Sequence, residues 1–197
     1  MDRMPTVIVM AILAALLVGC GDDQPAQPAT SSRVVAVEAR ESTRTPAELC
    51  DVLPEPANAP RFQMPELAET VATRDGDWRW VNVWATWCQP CIEEIPTLVE
   101  WEQRLAREGT PVDLVLLSAD GDAETVASYR QRVPTLPESA RVADPDAIEP
   151  WLQGLGMAGG ASLPVQVFVD PQGRARCLRA GAVHDDDYAA VKRLITG

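Results

Sequence analysis

The sequence has no cluster of Lys or Arg, no glycine-rich loop of the GxGxxG or Walker type, no internal repeat, and one histidine in 197 residues. Each absence closes off a class of function. With 29 acidic against 17 basic residues and a net charge of −12, nucleic acid and a polybasic membrane surface are poor partners, because phosphate-bearing surfaces select positive footprints. Five cysteines are too few for a miniprotein built on disulfides. They are also wrongly spaced for a four-cysteine zinc site with paired CxxC motifs, so no metal site is expected. The lone His184 stands beside three aspartates, far from any ligand set, and reads as a solvated residue at a helix start. No apolar run is long enough to span a membrane. The longest, Val7 to Val18, is twelve residues, where a hydrocarbon layer of about 30 Å needs about 20.

What is present begins with that run. Behind the weakly charged Asp2-Arg3 it has the length of a signal h-region. The Leu17-Val18-Gly19-Cys20 that follows resembles a bacterial lipoprotein signal, which is cut before the cysteine. Residues 1–19 are then removed and Cys20 becomes the lipidated first residue; an ordinary secretory cleavage nearby and an uncleaved anchor are the competing readings. Residues 20–40, rich in Asp, Gln, Pro, Ala, Thr and Ser in their first part, have the composition of a tether. Val35 and Val37 alternate with Ala36 and Glu38, as an edge strand or as more tether. With 46% hydrophobic residues, the rest of the chain suits one packed domain.

Thr45-Pro46-Ala47-Glu48 has capping-box spacing with Pro at the first helical position and opens a short helix carrying Leu49 and Cys50, which Pro54, Pro56 and Pro60 end. Residues 41–61 form an N-terminal extension to a domain spanning 62–197. After the turn Asp75-Gly76-Asp77, the run Trp78 to Trp84 is apolar on both faces, as in an interior strand covered on both sides. Helical periodicity runs from Ile92 to Glu108, with Pro96 as a kink and Gly109 as a C-cap. Pro111 to Ser118 is a buried strand, Asp122 to Val133 a helix, Pro145 to Leu155 a third helix. Val165 to Val169 and Arg174 to Ala180 flank an Asp170-Pro171-Gln172-Gly173 hairpin turn, and His184 to Ile195 closes the chain as an amphipathic helix. This order predicts a mixed α/β sandwich, parallel in its first half and antiparallel at the hairpin.

Within that order, Cys88-Gln89-Pro90-Cys91 lies directly after a strand and directly before a helix. Free N–H groups and the helix dipole stabilise negative charge there and favour the Cys88 thiolate. Cys88 is therefore the expected nucleophile, and Cys91, one turn deeper, the thiol that resolves a mixed disulfide. Half a zinc knuckle or a buried structural bridge has the same four-residue pattern.

Trp87-Cys88-Gln89-Pro90-Cys91, followed by Glu94 and Pro96, resembles the thioredoxin-like fold and, within it, the membrane-tethered periplasmic thiol-disulfide oxidoreductases related to TlpA and ResA. The resemblance covers about Phe62 to the C-terminus. It implies a three-layer α/β sandwich around a central mixed sheet. It also implies a cis-proline facing the CxxC, whose place Ser162-Leu163-Pro164 occupies; a trans strand-entry proline is the plain alternative. Trp87, Gln89, Pro90, Leu163 and Pro164 make up the implied substrate-facing set, while Trp84 reads as core. One departure is Asn82, which stands where thioredoxin has a buried aspartate. Glu94 matches the acidic residue of the ResA-like branch and, if buried, has a raised pKa and serves Cys91 as general base; otherwise it is a solvated helix-surface glutamate like Glu93.

In an oxidising compartment isolated cysteines are usually joined. With Cys88 and Cys91 paired locally and Cys20 lipidated, Cys50 and Cys177 remain for a structural disulfide; two free buried thiols or a regulatory pair are the alternatives. The sequence thus predicts an enzyme of the bacterial cell envelope, lipid-anchored and facing the periplasm. It would exchange or reduce protein disulfides through Cys88 and Cys91, draw electrons from a membrane dithiol donor and need no cofactor beyond that pair. The resemblance implies cytochrome c maturation as its pathway. A thiol peroxidase and a copper-chaperone or binding module on the same fold are the rival functions.

Overall fold

A computed structural model describes residues 43–197. The expected signal segment 1–19, Cys20, the tether 20–40 and the Val35/Val37 alternation lie outside the described residues.

Five strands form one sheet in the order β3-β2-β1-β4-β5, with β1 Trp78–Trp84, β2 Val112–Ser118, β3 Ser139–Arg141, β4 Val165–Val169 and β5 Ala175–Ala180. β1, β2 and β3 are mutually parallel, and β4 runs antiparallel to both β1 and β5. Trp80, Val81, Val83 and Trp84 are fully buried, so both faces of the central strand are covered, as its continuous apolar run requires.

Four main helices accompany the sheet: α2 Gln89–Arg107, α3 Ala123–Arg132, α4 Ile148–Gly154 and α5 Tyr188–Thr196, preceded by the short α1 Pro46–Leu49. The crossovers β1-α2-β2 and β2-α3-β3 step across the sheet in the same direction, and right-handedness places both helices on one face. Trp80 and Trp84 share that face by alternation. Trp80 meets Trp101 of α2 at a centroid distance of 6.1 Å, and Trp84 meets Tyr129 of α3 at 6.0 Å. Trp101 also meets Tyr188 edge-on at 5.2 Å, bringing α5 against α2.

Local signals explain most element ends. Glu48 accepts from the Thr45 N–H at 2.7 Å and the Thr45 hydroxyl at 2.8 Å, starting α1. Helix α2 ends in a Schellman motif, with Thr110 N–H on Leu105 O at 2.9 Å, Gly109 N–H on Ala106 O at 3.1 Å, and Gly109 at φ +82°. Asp122 caps α3 by accepting from the N–H groups of Glu124 and Thr125.

Three expectations are corrected. Cys50 is the C-cap of α1 and not inside it. The expected helices from Pro145 and from His184 each begin as a 3₁₀ turn, Pro145–Ala147 and Asp185–Asp187, before α4 and α5. The edge strand β3, in a stretch that Pro134 and Pro137 mark as irregular, is three residues paired to β2.

The N-terminal extension runs along the β5 edge. Val52 bridges to Leu178, Asp51 accepts from the Ala180 N–H at 2.7 Å, and Cys50 is disulfide-bonded to Cys177. An edge that would otherwise offer unpaired N–H and C=O groups is thereby occupied.

Candidate active site

The register of the sheet brings the site together. Val83 stands opposite Val165, so the chain leaving the end of β1 passes beside the chain entering β4. The first carries Trp87 to Cys91, the second Leu163 and Pro164, and the Leu163–Pro164 peptide is cis. The turn between β1 and α2 is tied down by Asp120, buried just beyond β2. Its carboxylate accepts from the Thr86 N–H at 2.9 Å, the Thr86 hydroxyl at 2.7 Å and the Ser118 hydroxyl at 2.7 Å.

Cys88 is the N-cap of α2 and is disulfide-bonded to Cys91. Its Sγ accepts a hydrogen bond from the Cys91 N–H at 3.3 Å, one of the orphan donors of the first helical turn. Pro90 sits where a missing N–H costs nothing. Cys88 keeps 5% of its surface exposed and Cys91 none, so an approaching sulfur reaches Cys88 first. Next to it Trp87 is 70% exposed. Trp87 and Leu163 line a groove of about 210 Å³ together with Ala119, Ala161 and the α4 residues Ile148 and Leu152.

Glu94, one turn below Cys91 on α2, is 96% withdrawn from solvent, at 4% exposure. Its Oε1 accepts from Asn82 Nδ2 of β1 at 2.7 Å and from Gln166 Nε2 of β4 at 2.9 Å; its Oε2 accepts from the Val183 N–H at 2.8 Å. Burial pushes the carboxyl above its usual range, against the pull of these three donors and of the Arg179 charge. The solvated-surface alternative fails for Glu94. It still borders a surface cleft of about 530 Å³, together with Pro90, Glu93, Thr97, Val183, His184 and the two aspartates after it.

Among the expected site residues, the structure brings Trp87, Cys88, Gln89, Pro90, Cys91 and Glu94 together at the start of α2, with Leu163 and Pro164 alongside. Cys50 and Cys177 lie elsewhere, joined between the extension and β5. His184 is exposed and precedes the 3₁₀ turn. Among the described residues, no group of His, Cys, Asp or Glu is arranged to hold a metal ion, and no helix is long and apolar enough to cross a membrane. Sequence reasoning missed Gln166 and Asp120. Asp120 sits two residues beyond a buried strand end, where a loop next to a functional motif is the only hint.

No family model matches the chain. Among curated proteins it is similar to the thiol-disulfide oxidoreductase ResA of Bacillus thuringiensis (strain Al Hakam), 26% identical over 119 residues that make up 59% of this chain and 64% of the relative. A second ResA, from Oceanobacillus iheyensis, is 31% identical over 78 residues, 36% of this chain and 40% of that one. The chain therefore matches less than two thirds of the length of these relatives, at 64% and 40%. Among solved structures, a secreted thiol-disulfide isomerase from Corynebacterium glutamicum is 18% identical with a TM-score of 0.56, covering 74% of this chain and 92% of its own. A DsbF homologue from Corynebacterium diphtheriae is 17% identical with a TM-score of 0.55, covering 74% and 90%. The mixed five-stranded sheet with its helices is a thioredoxin-like α/β fold.

Proposed function

We propose that this protein is a thiol-disulfide oxidoreductase that exchanges electrons with the disulfides or thiols of other proteins through Cys88 and Cys91. The observation that carries the proposal is the bridged pair at the N-terminus of α2, with Cys88 the more accessible of the two sulfurs and its Sγ accepting a helix N–H. Curated relatives with the same named activity support it.

In the reducing direction the Cys88 thiolate attacks one sulfur of a substrate disulfide. An S–S bond forms between Cys88 and that sulfur, the substrate S–S bond breaks, and the departing thiolate takes a proton from water. Glu94, as carboxylate, removes the Cys91 proton. The Cys91 thiolate attacks Cys88 Sγ, closes the Cys88–Cys91 bond and expels the second substrate thiolate. Two electrons pass from the protein dithiol to the substrate. The oxidised protein must then be reduced by another dithiol. Trp87, Gln89, Pro90, Leu163 and Pro164 face the substrate chain; Trp87 and Leu163 line one groove.

The same proposal places the protein in the bacterial cell envelope, exported by residues 1–19, held by a lipid on Cys20 and facing the periplasm. There a membrane dithiol donor supplies the electrons, and preparation of cysteines for cytochrome c assembly is the pathway. The pair Cys50–Cys177 is assigned a structural role.

Insulin reduction with a chemical thiol as electron source tests the activity. Wild-type protein accelerates it and Cys88→Ser does not. Equal activity in both, or copper held by the reduced protein with no acceleration, overturns the proposal in favour of a chaperone.

A further inference from the structure

Gln166 sits in the middle of β4, fully buried in an otherwise apolar strand, opposite Asn82 of β1. A glutamine there needs partners for both ends of its amide. Its Oε1 accepts from Trp80 Nε1 at 2.8 Å and from Asn82 Nδ2 at 3.1 Å, and its Nε2 donates to Glu94 Oε1 at 2.9 Å. The indole N–H can only donate. Trp80 therefore fixes which end of the amide faces it, and the NH₂ of Gln166 must face Glu94.

Asn82 is fixed by the same logic. Its NH₂ serves two acceptors, Gln166 Oε1 and Glu94 Oε1, and its own Oδ1 is buried without a hydrogen-bond partner. That orphaned acceptor is the cost of presenting donors to Glu94, since turning the amide would set an oxygen against both oxygens. A carboxylate oxygen has two good acceptor positions. Oε1 of Glu94 has both occupied by N–H groups, while Oε2 holds only the Val183 N–H.

We infer that Gln166, oriented by Trp80, is a positioning residue for the exchange reaction: with Asn82 it saturates Oε1 of Glu94, confines the exchangeable proton to Oε2, and so sets the pH range in which Glu94 accepts the Cys91 proton. This rests on Glu94 being the base proposed above. Every other charged group around Glu94 lies off this strand pair. Arg179 of β5 favours the carboxylate; Cys91 is on the same helix; Glu93, His184, Asp185 and Asp186 border the cleft. The two residues that face Glu94 from the sheet carry no titrating proton, so they act by donating and not by charge.

The test follows the Glu94 side-chain carboxyl by carbon-13 NMR over pH in protein labelled at glutamate, beside the pH profile of the exchange rate. Gln166→Met keeps the volume and loses the donor. Glu94 is then expected to titrate about one unit higher, and the rising limb of the rate to move with it, giving about a tenfold loss below the limb and none above it. Gln166→Glu keeps an oxygen for Trp80 and places a second carboxyl against Glu94; the two then titrate as a coupled pair, with a larger upward displacement. It also serves if the Met variant folds poorly. A purely structural Gln166 lowers the unfolding midpoint and leaves the Glu94 titration in place, and that result overturns the inference. If wild-type protein has no exchange activity while Glu94 still moves in the variants, the functional proposal fails and the positioning of Glu94 stands.

Discussion

Asn82 on β1 and Gln166 on β4 stand opposite each other across an antiparallel pair, and both donate an N–H to the same oxygen of Glu94, at 2.7 and 2.9 Å. Three polar groups buried under the Cys88–Cys91 disulfide are expensive unless each bond is made. Their arrangement links the sheet to the helix that carries Cys88 and Cys91.

Burial raises the Glu94 pKa in the folded state above its unfolded value. The contribution of this group to stability is then fully present below the ordinary carboxylate range and is lost as pH rises through the raised value. The unfolding free energy of wild type minus that of Glu94→Gln is expected to fall from about pH 4 upward and then level off. Urea titrations across a pH series measure it. A difference that stays flat with pH contradicts the raised pKa.

Asp120 anchors the turn ahead of Cys88 with three hydrogen bonds. Asp120→Ala leaves the Thr86 N–H and the Ser118 hydroxyl without that partner and is expected to cost about 1–3 kcal/mol. The exchange rate should fall as well, because Trp87 and Cys88 lose their fixed approach. Chemical denaturation and the insulin assay on one preparation report both effects; an unchanged rate would show that the turn holds its shape without Asp120.

The Cys50–Cys177 disulfide closes a loop with a sequence separation of 127. Replacing both cysteines by Ser is expected to lower stability by about 2–5 kcal/mol through the freedom restored to the unfolded chain and the loosened extension. Exchange activity at 25 °C should stay near wild type. If activity disappears while the fold survives, the pair relays electrons and is not structural.

Trp87 contributes little to the core at 70% exposure. Trp87→Ala should change stability by less than about 0.5 kcal/mol. The KM for protein disulfides should rise several-fold, with a smaller effect on a small disulfide such as bis(2-hydroxyethyl) disulfide, which is too small to fill the groove. Equal effects on both substrates would remove Trp87 from the substrate surface.

Much of this architecture was legible because it follows from runs and spacings. Trp78–Trp84 and Val112–Ser118 are apolar on both faces, the helix from Gln89 has a strong stripe, and Gly109 marks its end. The edge strand Ser139–Arg141 was not legible, since three residues have no periodicity and its conformation comes from pairing with β2. Gln166 was hidden for a related reason. In Val165-Gln166-Val167 a polar residue in mid-strand reads as the solvent face of an alternation, and only the helix packed over that face reveals a buried amide. Glu94 was readable as a candidate from its place after Cys91. Its burial depends on β1 and also on Val183 and β4, both distant in sequence, which no local pattern encodes.

The most direct test of the account is to trap the mixed disulfide. Reduced Cys91→Ser protein, mixed with a disulfide-bonded peptide, is expected to accumulate a covalent adduct on Cys88, found by mass spectrometry as protein plus one peptide thiol and cleaved by a reductant. Cys88→Ser should form little or none, because Cys91 is fully buried. An adduct on Cys91 in that variant at a comparable rate, or no adduct in Cys91→Ser, would contradict Cys88 as the point of attack.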